Sequence, residues 1–516
     1  MVTDMTLWRT ARPARLLLSA LLVALLIQPV RALPSDSKQP VEESWEAVYV
    51  AGKKAGYVHT VVTRVKLPDG REAYEVKTVS KLQLRRFGQQ ISMVIEGRSV
   101  ELAENGALVE VEQIVRTSNI EATRMHAKVD GDAMVLTVVT LGKESTRRIP
   151  WRDLPGPYAL DRKIRDAHQL KEGESLEVEF FDQSLQAVVT GKVIGGPIEE
   201  VQLLDRTAKL RHLKFQIFPP RQDRPFITTD VWVDEDGETL KTNTPMLGGM
   251  TTYRVSKEVA LAEPEDLSED IAIRTLVPVK GQFKDPFETV RAVYRIHLAD
   301  GVEAEDLPLA AGPTQSWQVE ANGTILLTVR AESQGSAATA PPSESFLEPN
   351  SYIQSDNEKI RRYAAEAVGD ATETLEKARR LERWVFENLK NKNYGVGFAS
   401  AAAVAESMEG DCTEHAVLLA AMARAQGLPA RVAVGFVFAP SVGKFGGHMW
   451  TEIFVNGHWR GFDATLGRGR LDAVHIKLGD SALDGADAML SLLPIARAIE
   501  MIKLIELVEV EYKADD

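Results

Sequence analysis

At 516 residues the chain is too long for one ordinary core, so two or three domains are expected. Its 44% hydrophobic content is that of globular protein, and a net charge of −13 argues against a nucleic-acid partner, because such phosphate contacts need clustered Lys and Arg. A single cysteine excludes an internal disulfide.

Arg9, Arg12 and Arg15 precede an apolar run from Leu16 to Ile27, and Val30-Arg31-Ala32 offers small residues at the positions a signal peptidase inspects. Residues 1–32 therefore read as a signal peptide, with a periplasmic or secreted destination; an uncleaved anchor is the alternative. The run falls short of the about 20 residues a spanning helix needs. No later stretch is apolar enough, so no transmembrane span is expected beyond the signal region.

After a polar linker from Ser35 to Glu43, strands dominate. Residues 46–50, 57–65, 74–84 and 90–102 are rich in β-branched and aromatic residues with partial alternation. Asp69-Gly70, Asn105-Gly106, Asp130-Gly131 and Asp236-Gly237 accept the positive φ of tight turns. Strand, turn, strand in series predicts an antiparallel β domain over 42–265. Residues 270–332 read as a small β domain, with Asn322-Gly323-Thr324 as a hairpin turn rather than a glycosylation sequon. Residues 332–345, rich in Ser, Ala and Pro, read as a connection.

The pattern then turns helical. Leu375, Ala378, Leu381, Val385 and Leu389 share one helix face. A second helix is expected from Cys412 to Gln426, with Val417, Leu418 and Met422 inward and Gly427 as its stop. Residues 429–438 read as a buried strand, and 448–455 and 458–462 as a hairpin around Asn456-Gly457. The tail, 481–516, adds a helix near 486–499 and a strand near 505–512. The fold class is thus α+β, with β domains followed by a mixed core over 346–480.

Three residues of that core carry chemistry: Cys412 in Gly410-Asp411-Cys412-Thr413-Glu414-His415, His448 in Gly447-His448-Met449-Trp450, and Asp463 in Gly461-Phe462-Asp463-Ala464. A helix N-terminus offers a sulfur the dipole and free N–H groups that favour negative charge and hold an oxyanion. Antiparallel strands joined by a two-residue turn bring their far ends together, so His448 and Asp463 are predicted neighbours. Nucleophile, base and orienting carboxylate are the kit for thiol acyl chemistry. His415 is the rival base, one helical turn from the sulfur. Glu414 and Glu452 are a possible acid pair, with ion pairing of Glu452 to Arg424 or Arg431 preferred. Trp450 and Trp459 read as cleft walls or core. Gly443, Gly446 and Gly447 read either as a mobile loop over the site or as an ordinary turn. The nine histidines are scattered, with no CxxC or HExxH, so no metal and no cofactor are expected.

The stretches 409–416, 423–435, 448–459 and 462–465 resemble the transglutaminase-like superfamily, of the exported bacterial type, whose core is a papain-like thiol fold. The resemblance covers about residues 350–480. It implies Cys412 as nucleophile, His448 as base and Asp463 as its orienting partner, acting on protein or peptide substrates by acyl transfer or hydrolysis. Met449 stands where the family often has a small residue. A non-catalytic periplasmic binding or scaffold protein with a silent triad is the second function class.

Overall fold

The computed structural model describes residues 40–513, apart from 87–88, 118–119, 141–142, 221–223, 246–248, 265–274, 332–341, 392–398 and 485–492. The expected signal peptide (1–32), most of the linker before Glu43, most of the connection 332–345 and the first part of the expected tail helix lie outside the described residues.

Alternating strands and Gly-containing turns build one fourteen-stranded sheet from β1 (Glu42–Val50) to β14 (Met250–Val255). Every pairing in it is antiparallel. Two meanders meet where β1 pairs with β14, which leaves β8 (Lys143–Pro150) and β9 (Ser175–Asp182) as the two edges. The sheet curls, because Met134 and Leu136 near one edge share a core with Phe181 and Val188 near the other. The sequence reading foresaw only strands here, yet α1 (Pro157–Asp166) and the short α2 (Lys257–Leu261) lie among them. Pro157 suits a first helical position, and the buried Glu101 carboxylate accepts hydrogen bonds from the Tyr158 and Ala159 N–H groups at 2.8 and 2.9 Å.

The second sheet has nine strands. The segment 270–332 supplies β15 (Val277–Lys280), β16 (Thr289–Leu298), β17 (Gln315–Val319) and β18 (Ile325–Arg330). They lie in one sheet with β19 (Ala430–Ala439), β20 (Lys444–Val455), β21 (His458–Phe462), β22 (His475–Ser481) and the final β23 (Ile502–Tyr512). The last strand enters between β15, which it pairs in parallel, and β16, which it pairs antiparallel. The preceding helix, α7, spans Leu493–Met501.

Helices α3 (Glu358–Val368), α4 (Thr374–Asn388), α5 (Ala401–Ser407) and α6 (Cys412–Ala425) pack beside β19 and β20. Expected to bury one face, α6 is buried on every side from Thr413 to Arg424, because α3, α4, α5 and the two strands surround it. Such a helix must satisfy its polar groups internally. Arg424 does so by donating to the Ala430, Glu348 and Ala482 carbonyls rather than to Glu452, and burial lowers its pKa to about 10. Glu452 instead pairs with Arg431 at 2.7 Å and Lys477 at 2.8 Å.

Gly446 and Gly447 pair with Val437 and Phe436 inside β20, and only Gly443 lies in the turn before it, so no glycine lid forms. A Cβ on Gly447 would approach the Ile495 side chain at 2.8 Å, which explains glycine there by packing. Gly435, opposite His448, is tighter. A Cβ would meet the Ile476 carbonyl oxygen at 1.9 Å and the Trp450 ring at 3.0 Å. Gly435→Ala is therefore expected to lower unfolding stability by about 1–3 kcal/mol in urea denaturation.

Candidate active site

The hairpin turn sets the site's register. Asn456 and Gly457 both take positive φ, at 52° and 82°, as a tight turn requires, and Val455 faces His458 across it. Counting back along the ladder brings His448 on β20 beside Asp463, which directly follows β21. The His448 Nε2–H donates to Asp463 Oδ2 at 2.9 Å. The sequence reading started this strand at His448; it begins at Lys444, paired along β19.

Cys412 is the first residue of α6, as expected. A capping box shapes that terminus. Asp411 accepts from the Thr413 N–H at 2.9 Å and from the Glu414 N–H, while Glu414 accepts from the Asp411 N–H at 2.8 Å. These bonds consume the neighbouring donors. Among the described residues, the Cys412 N–H has no partner in this network. Thr451 on β20 donates its hydroxyl to the Ala416 carbonyl of α6 at 2.9 Å, which ties the helix to the strand bearing His448. The helix thereby turns its N-terminus toward the imidazole, and the Cys412 sulfur stands close enough to His448 to raise its proton affinity. All three expected site residues come together.

The rivals do not join them. His415 is buried with Nδ1 2.6 Å from the Asp411 carbonyl and Nε2 3.1 Å from the Leu389 carbonyl. Glu414 is occupied by the cap and the Ala399 N–H, and burial, with the Asp411 charge next to it, raises its pKa to about 8. Trp450 is core, stacked 6.3 Å from His448, whereas Trp459 lies under the Arg431 guanidinium at 4.1 Å.

Two buried residues went unforeseen. His475, at the start of β22, donates from Nε2 to the same Asp463 Oδ2 at 3.1 Å, and its Nδ1 lies 2.7 Å from Asp472 Oδ1. Only the short Asp472–His475 spacing hinted at a pair; the meeting with Asp463 arises from the β19–β22 pairing. Glu382, on α4, is fully buried near Asp463. Desolvation first, then repulsion from Asp463, raises its pKa to about 8, so it is mostly neutral at pH 7.

Carboxylate and imidazole alternate along the line Asp472, His475, Asp463, His448, with the Cys412 sulfur beyond it. Burial opposes charge on His448 most strongly, but the Asp463 charge, the Cys412 sulfur and the Asp463 hydrogen bond override it and hold the imidazole well above its ordinary pKa. Burial likewise opposes charge on Asp463, and the two imidazoles override it, holding the carboxyl well below its usual range. For His475, burial is outweighed by Asp472 and Asp463, which push its pKa up to about 9. His448, Asp463 and His475 also bring three possible metal-ligand atoms within 4.8 Å. Both imidazoles are held toward their protonated forms, which compete with a metal for the same lone pairs.

The raised histidines stabilise the fold fully below their unfolded pKa near 6.5, and that contribution is lost as pH rises through the folded values. For His475 the window runs from 6.5 to about 9, worth on the order of 3 kcal/mol. Urea unfolding at stepped pH is expected to show stability falling across this window, with a shallower fall in His475→Gln.

Residues 361–464 match the family model described as the transglutaminase-like superfamily. This segment is similar to transglutaminase-like domains. It contains Cys412, His448 and Asp463, and the antiparallel sheet of β1–β14 precedes it. No curated protein matches the chain. Among solved structures, a β-barrel-like domain of unknown function from Brucella abortus is 12% identical, with TM-score 0.31, covering 42% of this chain and 98% of that one. A protein proposed to be a cysteine protease, from Cytophaga hutchinsonii, is 18% identical, with TM-score 0.26, covering 44% and 86%. A protein proposed to be a protease, from Parabacteroides distasonis, is 10% identical, with TM-score 0.19, covering 74% and 66%. No described helix is long and apolar enough to cross a membrane.

Proposed function

We propose that the chain performs thiol-dependent acyl transfer or amide hydrolysis on protein or peptide substrates, through Cys412, His448 and Asp463. The observation that carries this reading is the convergence, at the N-terminus of a buried helix, of the Cys412 sulfur on a His448 imidazole that is itself hydrogen-bonded to the Asp463 carboxylate at 2.9 Å. In this reading 346–480 is the catalytic core, 42–265 a companion domain, and the basic-then-apolar start of the chain directs export to the periplasm or beyond.

The resting pair is a Cys412 thiolate and a His448 imidazolium. The sulfur attacks an amide carbonyl, of a glutamine side chain or a peptide bond, and the carbonyl electrons move to oxygen. The Cys412 N–H, left over by the cap, supports that oxyanion. As the C–N bond breaks, His448 gives its proton to the leaving amine and a thioester remains. An incoming amine or water then attacks the thioester, His448 takes its proton, and the thiolate departs. The raised proton affinity of His448 supports its role as the acid of the first half-reaction. Asp463, held by His475 from behind, orients the ring throughout.

The test is incubation of the full chain with glutamine-containing peptides and a primary-amine probe, read by mass spectrometry. Amine adducts identify transfer, and cleaved or deamidated peptides identify hydrolysis. Neither product over a broad peptide set, with Cys412 unacylated, contradicts the reading.

A further inference from the structure

Behind the Asp472–His475 pair lies a cavity of about 80 Å³ between β18, β20, β21 and α4. Its cationic lining is unusual for a chain of net charge −13. Arg330 comes from the end of β18, Arg379 from α4 and Arg460 from β21. Other charges of the lining are already matched. Arg470 pairs with Glu288, Lys477 with Glu452 and Asp480, and Asp472 with His475. Among the described residues, no carboxylate pairs with Arg330, Arg379 or Arg460.

A second observation is independent of charge. The Arg330 Nη1 and the Trp450 Nε1 are both buried and, among the described residues, have no hydrogen-bond partner. Trp450 is 2% exposed and lines this same cavity. A buried N–H donor without an acceptor costs about 1–3 kcal/mol, so two in one cavity call for an acceptor to occupy it. Guanidinium groups present planar pairs of N–H donors that match the oxygens of phosphate and carboxylate.

We infer that this cavity binds a compact oxyanion carrying two or more negative charges, a phosphate group or a small dicarboxylate, on Arg330, Arg379 and Arg460 with the Trp450 indole N–H as a further donor. The site is separate from the Cys412 thiol and abuts His475, which holds Asp463 from behind, and Asp472, which holds His475. It goes beyond the acyl-transfer reading, and binding is measured without turnover, so either can fail alone.

The experiment is isothermal titration calorimetry of the full chain at pH 7 and low salt, with inorganic phosphate in one arm and malonate in the other. Saturable one-site binding in either arm is expected, and the tighter arm assigns the ligand as phosphate or dicarboxylate. Arg330→Gln and Arg460→Gln should each weaken it tenfold or more. Arg379→Gln serves as the variant least able to disturb folding, because that side chain is exposed, and should weaken binding at an unchanged melting temperature. No saturable heat in either arm, or equal binding by all three variants, would overturn the inference.

Discussion

Asp463→Asn is expected to reduce thiol acylation by roughly three to four orders of magnitude. The substitution keeps shape and removes charge. Asp463 Oδ2 accepts from two imidazoles, at 2.9 Å from His448 and 3.1 Å from His475, and is 2% exposed. An amide in its place provides no negative charge to offset the burial of either ring. Burial, the largest influence on His448, then prevails and lowers its proton affinity. The ring loses both its orientation and the proton it must deliver. His475 retains only Asp472 as its carboxylate partner, so the variant should also lose about 3–5 kcal/mol of stability at pH 7. Stopped-flow acylation with p-nitrophenyl acetate and urea denaturation at pH 7 check the two effects separately. A change in acylation below tenfold would contradict the role assigned to Asp463.

The second large effect separates the proposed nucleophile and base from their neighbours. Cys412→Ala should eliminate the acyl-enzyme, since no other cysteine exists in the chain. His448→Ala should slow its formation by roughly a thousandfold or more while leaving the capping box of α6 intact. His415→Ala should behave in the opposite way. Its ring nitrogens lie at the Asp411 and Leu389 carbonyls, joining α6 to the end of α4, so its loss should cost about 1–3 kcal/mol of stability and change acylation only a few-fold. Acylation rates and denaturation midpoints of the three variants, measured together, distinguish a base from a brace. If His415→Ala abolished acylation and His448→Ala did not, the assignment of the base would be wrong.

What the sequence disclosed was local. The Asn456-Gly457 turn sets the ladder by itself, so the approach of His448 to Asp463 was readable without tertiary information. The start of α6 was readable too, because Asp411 and Glu414 form a capping box within one helical turn. His475 was not readable. Its contact depends on β22 pairing with β19, a strand nearly forty residues away, and no spacing rule links the two. Glu382 was hidden for a different reason. It falls beside the apolar face of α4, where a glutamate ordinarily faces water, and only the tertiary packing covers it. The glycines before His448 suggested mobility or a turn, but two of them serve a strand pressed against Leu276 and Ile495. Helix α1 escaped notice because its N-terminal cap is supplied by Glu101, far away in sequence.

The central claim is that Cys412 and His448 act as one ionised pair. Its most direct test is the rate of Cys412 alkylation by iodoacetamide in the native full chain at pH 7, compared between wild type and His448→Ala. Rapid labelling of the wild type, slowed at least tenfold by the substitution, is the predicted result. A thiol that reacts only after unfolding, or one whose native rate is the same in both proteins, would contradict it.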